Sequence, residues 1–173
     1  MRALVFGMLL VSSPAFANGT ESAESVRSFM IGSAAIVQTL TFVVAKKGMS
    51  ADRIKVRDAT YATAVKNGIP PEIFVKLVNR ESGFNAKAVG PKTRYGRAYG
   101  PTQILASTAA TMGATPRQLM SDYQLALDLG ARYLLLGYRR YGNWRQAVAF
   151  YHGGPNERIH GTKTAAYARA IVG

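Results

Sequence analysis

The sequence predicts a mostly α-helical domain, and three observations predict it. Apolar residues recur at intervals of three and four through most of the chain, the spacing that gathers them on one face of a helix. No stretch sustains the two-residue alternation of a half-buried strand. Glycine, proline and Asn-Gly punctuation cuts the chain into helix-length pieces. With 48% hydrophobic and 18% charged residues, the 173-residue chain can bury a core and is not of disordered composition. It carries no repeat at a solenoid period.

The elements follow in order. Residues 52–66, "DRIKVRDATYATAVK", read as a helix with Ile54, Tyr61, Ala64 and Val65 near one face, closed by Asn67-Gly68. Pro70-Pro71 opens the next helix, because proline is tolerated in a first turn. That helix, "PEIFVKLVNRE", ends near Gly83. Residues 85–101 read as a loop of glycine, proline and four basic residues. "TQILASTAATMG" resumes helical character from Thr102 to Gly113. Pro116 and Ser121-Asp122 mark turns, with Asp122 as a helix cap. "YQLALDLGARYLLLGYRRYG" is a long amphipathic helix whose Gly130 permits close packing. "NWRQAVAFYHGGP" is a last core helix stopped at Gly153-Gly154-Pro155, and "TKTAAYARAIV" closes the sequence.

The amino end is organised differently. Residues 1–17, "MRALVFGMLLVSSPAFA", have the form of a secretory signal peptide. Arg2 supplies the positive charge, Ala3 to Val11 the short apolar stretch, and Ala15-Phe16-Ala17 the small-x-small cleavage pattern, with cleavage expected after Ala17. Residues 18–50 form an extension. Its apolar part, residues 28–45, is borderline for a membrane span, and Ser28, Gly32, Ser33, Gln38, Thr39 and Thr41 weaken that reading. A segment packed on the domain or on a partner is preferred to a membrane anchor.

Composition excludes several classes. There is no cysteine, so neither a disulfide framework nor a thiolate metal site can form. His152 and His160 are the only histidines and lack HExxH spacing, so no metal site is expected. The net charge is +13, and loss of Arg2 leaves 21 basic against 9 acidic residues, or +12. Such a chain favours anionic partners. For an exported protein these are a wall polymer or an envelope surface rather than nucleic acid, for which no recognition-helix motif is present.

One carboxyl stands out. Ile73, Phe74, Leu77 and Val78 form the apolar stripe of their helix, and continuing it by three or four residues reaches Glu81. Positions 77, 78, 84 and 85 offer it no basic partner. Glu72, by contrast, lies in the first turn with Lys76 four residues on, and Asp128 has Arg132 at the same spacing. A carboxyl on an apolar face is costly when charged, and burial raises its pKa into the range of a general acid. A carboxylate tied to loop amides or to Arg80, Arg94 or Arg97 is the alternative.

From Ile54 to Val172 the chain resembles the Slt-type lytic transglycosylases, which have a lysozyme-like helical fold with a substrate cleft. "GIPPEIFVKLVNRESGFN" resembles the helix ending in the family's Glu-Ser pair, here Glu81-Ser82. "YGPTQI", from Tyr99, resembles its Gly-Leu-Met-Gln-Ile segment, "AVAFYHGGP" its Ala-Tyr-Asn-Ala-Gly-Pro segment, and "KTAAYARAIV" its late Glu-Thr-x-x-Tyr-Val segment. The resemblance implies Glu81 as the catalytic acid, Gly100 and Gln103 as cleft-lining residues, and Tyr151 and Tyr167 as the cleft and late tyrosines. Tyr151 also completes an inward stripe with Trp144, Ala147 and Val148. The chain departs from the family at Gly90, where a serine usually bonds the glutamate, at Pro101-Thr102, at His152 in place of asparagine, and at Lys163. The loop before Gly100 is also longer than usual. A donor from that loop, Thr93, Tyr95 or Tyr99, is expected to replace the serine.

The implied reaction cuts the bond between N-acetylmuramic acid and N-acetylglucosamine in peptidoglycan glycan strands. Glu81 acts first as acid and then as base, and a 1,6-anhydro ring forms without water or cofactor. Gln103 and Tyr151 would orient the sugar. A hydrolytic muramidase and a non-catalytic wall-binding or assembly module are the rival readings. Residues 51–173 form the catalytic domain in this reading, periplasmic and monomeric, with local wall opening for a secretion or conjugation apparatus as a specialised role.

Overall fold

The computed structural model describes residues 48–173. The expectations for residues 1–17 and 28–45 lie outside the described residues. Among the described residues there are seven α-helices: α1 (Ala51–Lys66), α2 (Pro71–Ser82), α3 (Ala106–Thr111), α4 (Pro116–Ser121), α5 (Tyr123–Tyr141), α6 (Trp144–Gly153) and α7 (Thr162–Val172). A two-stranded antiparallel sheet, β1 (Ala98–Tyr99) and β2 (Ile104–Leu105), and a 3-10 turn at Glu157–Ile159 complete the set. No helix among the described residues is long and apolar enough to cross a membrane.

Helix α5 is the centre of the fold, with α1, α4 and α6 packed around it, α2 on α1, and α7 across α6 and α2. Its Leu127, Leu129, Ala131 and Leu134 are buried together with Phe74, Leu77 and Val78 of α2, Val148 of α6 and Ile171 of α7. Each large apolar side chain so buried stabilises the fold by about 1.5–3 kcal/mol before entropy is counted. Asp122 caps α5 as expected, accepting from the backbone N–H groups of Gln124 and Leu125 at 3.0 Å each.

Three local expectations are corrected. The buried residues of α1 are Val56, Arg57, Thr60 and Ala64, while Tyr61 and Val65 are exposed. Four-residue spacing of small side chains lets α1 approach its neighbours closely, and Thr60 is buried at no hydrogen-bond cost because its hydroxyl donates to the Val56 carbonyl at 2.7 Å. Asp128 pairs with Lys66 of α1, at 3.7 Å, rather than with Arg132. The docking of α1 on α5 supplies a cation from outside the helix, and both partners are exposed enough for the pair to contribute little.

The third correction concerns residues 102–105, which form the turn and second strand of a hairpin, the strand being Ile104–Leu105, instead of starting a helix. Ala98 pairs with Leu105 and Tyr99 with Ile104. Gly100 turns the chain at φ +74°, and a Cβ there would stand 2.4 Å from the Leu119 carbonyl oxygen, so only glycine fits. Gln103 also has a left-handed φ, of 48°. Its amide nitrogen holds it there by donating to the Gly100 carbonyl at 2.9 Å and the Ala88 carbonyl at 3.2 Å.

The hairpin is tied to α5 through Thr102, which is fully buried. Its hydroxyl donates to the Ala126 carbonyl at 2.9 Å. Gly130 makes the room, since a Cβ there would lie 2.5 Å from the Thr102 Cγ2. Gly130→Ala should therefore lower the free energy of unfolding by about 1–3 kcal/mol through overpacking, read by urea denaturation. Unchanged stability would show that the hairpin does not depend on this contact.

Candidate active site

Helix α2 carries Glu81 in its last turn, one step beyond the buried stripe of Phe74, Leu77 and Val78. Gly83, at φ +58°, ends the helix directly after it, its N–H donating to the Asn79 carbonyl at 2.8 Å. The glutamate therefore reaches the end of the apolar face where that face opens into a cleft of about 630 Å³. Gln103 and Ile104 of the hairpin, Tyr133 of α5, and Tyr151 and His152 of α6 line the same cleft. Among the described residues lining it, Glu81 is the only acidic one.

Glu81 is answered by a group that sequence reasoning did not assign to it. The Tyr167 hydroxyl of α7 donates to Glu81 Oε1 across 86 residues of sequence. Thr93, Tyr95 and Tyr99, the expected replacements for the missing serine, do not perform this role. The Thr93 hydroxyl instead donates to the Gly96 carbonyl at 2.9 Å. The vacancy left by a serine at position 90 is filled by Gln103, since a Cβ on Gly90 would stand 2.8 Å from the Gln103 Oε1. The absent side chain thus admits the amide that braces the hairpin.

Burial pushes the Glu81 carboxyl above the ordinary glutamate range, while the Tyr167 hydrogen bond and the Arg80 charge pull it back down. Burial, and then the Glu81 charge, push the Tyr167 phenol up, which keeps its proton available for donation. The Arg80 guanidinium lies over the Tyr167 ring, 5.6 Å from its centroid. His152 stacks on the same tyrosine, its ring centroid 4.4 Å from that of Tyr167. Its Nδ1 meets the Thr164 hydroxyl at 3.1 Å. Burial, Arg80 and His160 hold His152 below the ordinary histidine value, so the ring is predominantly neutral near pH 7.

The structure brings Glu81, Gln103, Tyr151 and His152 together on the cleft and places Tyr167 behind Glu81. It does not bring Ser82, Tyr99 or Gly100 to the lining. Ser82 turns its hydroxyl back to the Val78 carbonyl at 3.3 Å. Tyr99 is committed to β1, and Gly100 is buried beneath α4. Tyr151 lines the cleft but its hydroxyl donates to the Thr102 carbonyl at 2.7 Å, and Gln103 spends its amide N–H groups on the loop. Both have these donors taken up within the fold. Tyr133, whose ring packs edge-on to Tyr151 at 5.4 Å, was missed by sequence reading. Its place three residues after Gly130, where α5 approaches the hairpin, was the available signal.

Residues 58–170 match the Transglycosylase SLT domain. Two solved structures share the fold. One is an inactive mutant of the lytic transglycosylase Slt from Pseudomonas aeruginosa, 22% identical with a TM-score of 0.53 over 66% of this chain and 22% of that one. The other is the complex of the 70-kDa soluble lytic transglycosylase with bulgecin A, 23% identical with a TM-score of 0.54 over 66% of this chain and 22% of that one. The present chain thus spans under a quarter of the length of either. The likeness shows a shared fold, mostly helical as expected.

The Tyr167 hydrogen bond favours the ionised form of Glu81, so its loss leaves burial to act with less opposition. In Tyr167→Phe the Glu81 pKa should move further upward, measured by carbon NMR titration of the labelled carboxyl. A pKa that stays in place or falls would show that the hydroxyl does not stabilise the carboxylate.

Proposed function

The chain belongs to the Transglycosylase SLT domain family, and on that premise we propose that it is a peptidoglycan lytic transglycosylase in which Glu81 serves as acid and then as base. The observation that carries this reading is a single partly buried carboxyl at the cleft, raised by burial yet tethered by Tyr167. Hydrolysis by a retaining or inverting route ordinarily calls for two carboxyl groups flanking the bond. Among the described residues lining this cleft Glu81 has no acidic companion, which favours a route using one group twice.

In that route protonated Glu81 gives its proton to the glycosidic oxygen between N-acetylmuramic acid and N-acetylglucosamine as the C1–O bond breaks. The departing sugar leaves as an alcohol, and the substrate's acetamido group stabilises the cationic carbon. The Glu81 carboxylate next takes the proton of the C6 hydroxyl, and O6 closes on C1 to form the 1,6-anhydro ring. The glutamate ends protonated, as it began, and no water is consumed. A raised pKa serves the first half, and the Tyr167 tether keeps the carboxylate accessible for the second. With the Tyr151 hydroxyl and the Gln103 amide N–H groups committed to backbone carbonyls, the Tyr133 hydroxyl and His152 Nε2 are the polar atoms we assign to sugar contacts.

Digestion of purified sacculi with wild type should release muropeptides ending in anhydro-sugars, one water lighter than reducing-end products by mass spectrometry. Glu81→Gln should lower the rate by at least about a hundredfold. Reducing ends alone would replace this reading with a hydrolytic muramidase. Binding without release by wild type, unchanged in Glu81→Gln, would replace it with a wall-binding module.

The same reading places the enzyme in the periplasm after removal of residues 1–17. The protein recovered from a periplasmic fraction should begin at Asn18 by amino-terminal sequencing. An intact Met1 in the cytoplasmic fraction would refute export.

A further inference from the structure

The loop between α2 and the hairpin carries a feature the reaction itself does not use. Residues 82–121 contain no acidic residue, while Lys87, Lys92, Arg94 and Arg97 cluster within the loop. All four are exposed. None has an ion-pair partner among the described residues. A run of unanswered cations beside a cleft focuses a positive potential into it.

The segment is also well defined. Thr93 and Gly96 exchange backbone hydrogen bonds at 2.9 and 3.0 Å. The Thr93 hydroxyl bonds the Gly96 carbonyl and accepts from the Tyr95 N–H at 3.1 Å, fixing the tip. Arg97 braces the base by donating from Nη1 to the Gly90 carbonyl at 3.0 Å. The tip delivers Tyr95 to the cleft that holds Glu81, and the Arg94 guanidinium lies 4.7 Å from the centroid of the Tyr95 ring. A planar cation stacked on an aromatic ring keeps its N–H edge free for a carboxylate.

We infer that residues 92–97 form a rim clamp for the carboxylate-bearing peptide stems of the strand, with Arg94 as the specificity-determining residue and Tyr95 as its platform. This rests on the substrate class proposed above. In peptidoglycan the stem leaves the muramic acid beside the bond being cut, so a cation on the cleft rim meets its carboxylates while Glu81 addresses the sugar.

The test uses soluble un-crosslinked glycan strands, either native or with stem carboxylates converted to amides. On native strands Arg94→Gln should raise KM about fivefold, the scale of one partly exposed charge-assisted contact, and leave kcat within about twofold. On amidated strands wild type should lose the same factor and Arg94→Gln should add nothing further. An equal loss from Arg94→Gln on both strand types would mean a sugar contact and overturn the clamp, as would no loss on either. The Glu81→Gln chain, assayed for strand binding with and without Arg94→Gln, separates the two proposals. If wild type releases no product but binding still depends on Arg94 and on free carboxylates, the activity fails and the clamp stands. If product is released with no such dependence, the reverse holds.

Discussion

A carboxyl can stand at the edge of an apolar core only if something answers its charge, and here that is the Tyr167 hydroxyl on Glu81. The bond joins the end of α2 to the middle of α7, which is why the position of α7 matters more than its modest length suggests. Arg80 above the Tyr167 ring and His152 stacked against it make the phenol part of a layered group. Burial raises the Glu81 pKa while the tether and Arg80 lower it, and burial is the larger effect.

Thr102 has a comparable role in the scaffold. Its side chain packs against Gly130 and bonds the Ala126 carbonyl, while its own carbonyl receives the Tyr151 hydroxyl. One buried residue thereby registers the hairpin, α5 and α6 against one another. Gln103, next in the chain, holds a left-handed backbone conformation through its own amide and fills the space beside Gly90. These fixed contacts give the cleft walls their shape before any ligand arrives.

Much of this was legible in the sequence. The period of Phe74, Leu77 and Val78 pointed to Glu81, and the stripe ending at Tyr151 did point inward. Helix ends announced themselves through Gly83, Asp122 and Gly142, where capping chemistry is local. What was not legible depended on contacts distant in sequence. Nothing near Tyr167 indicates that its hydroxyl meets a carboxylate 86 residues away. The carbonyls that take up the Tyr151 and Gln103 donors were not legible either, because those contacts are made only in the fold. The strand at Ile104–Leu105 was hidden because two residues are too few to display alternation. The outward turn of Tyr61 has a similar origin: α1 packs through its small residues, and a large apolar side chain is not by itself a sign of burial.

The long span of the Glu81–Tyr167 bond also bears on the order in which the protein matures. A chain emerging amino end first presents Glu81 well before α7 exists. Until α7 docks, that glutamate lacks the Tyr167 hydroxyl, the hydrogen bond that lowers its pKa against burial. Closure of the last helix is then the event that brings the tethering hydroxyl to the carboxyl. A chain whose last helix has not yet closed carries the glutamate without the hydroxyl that meets it.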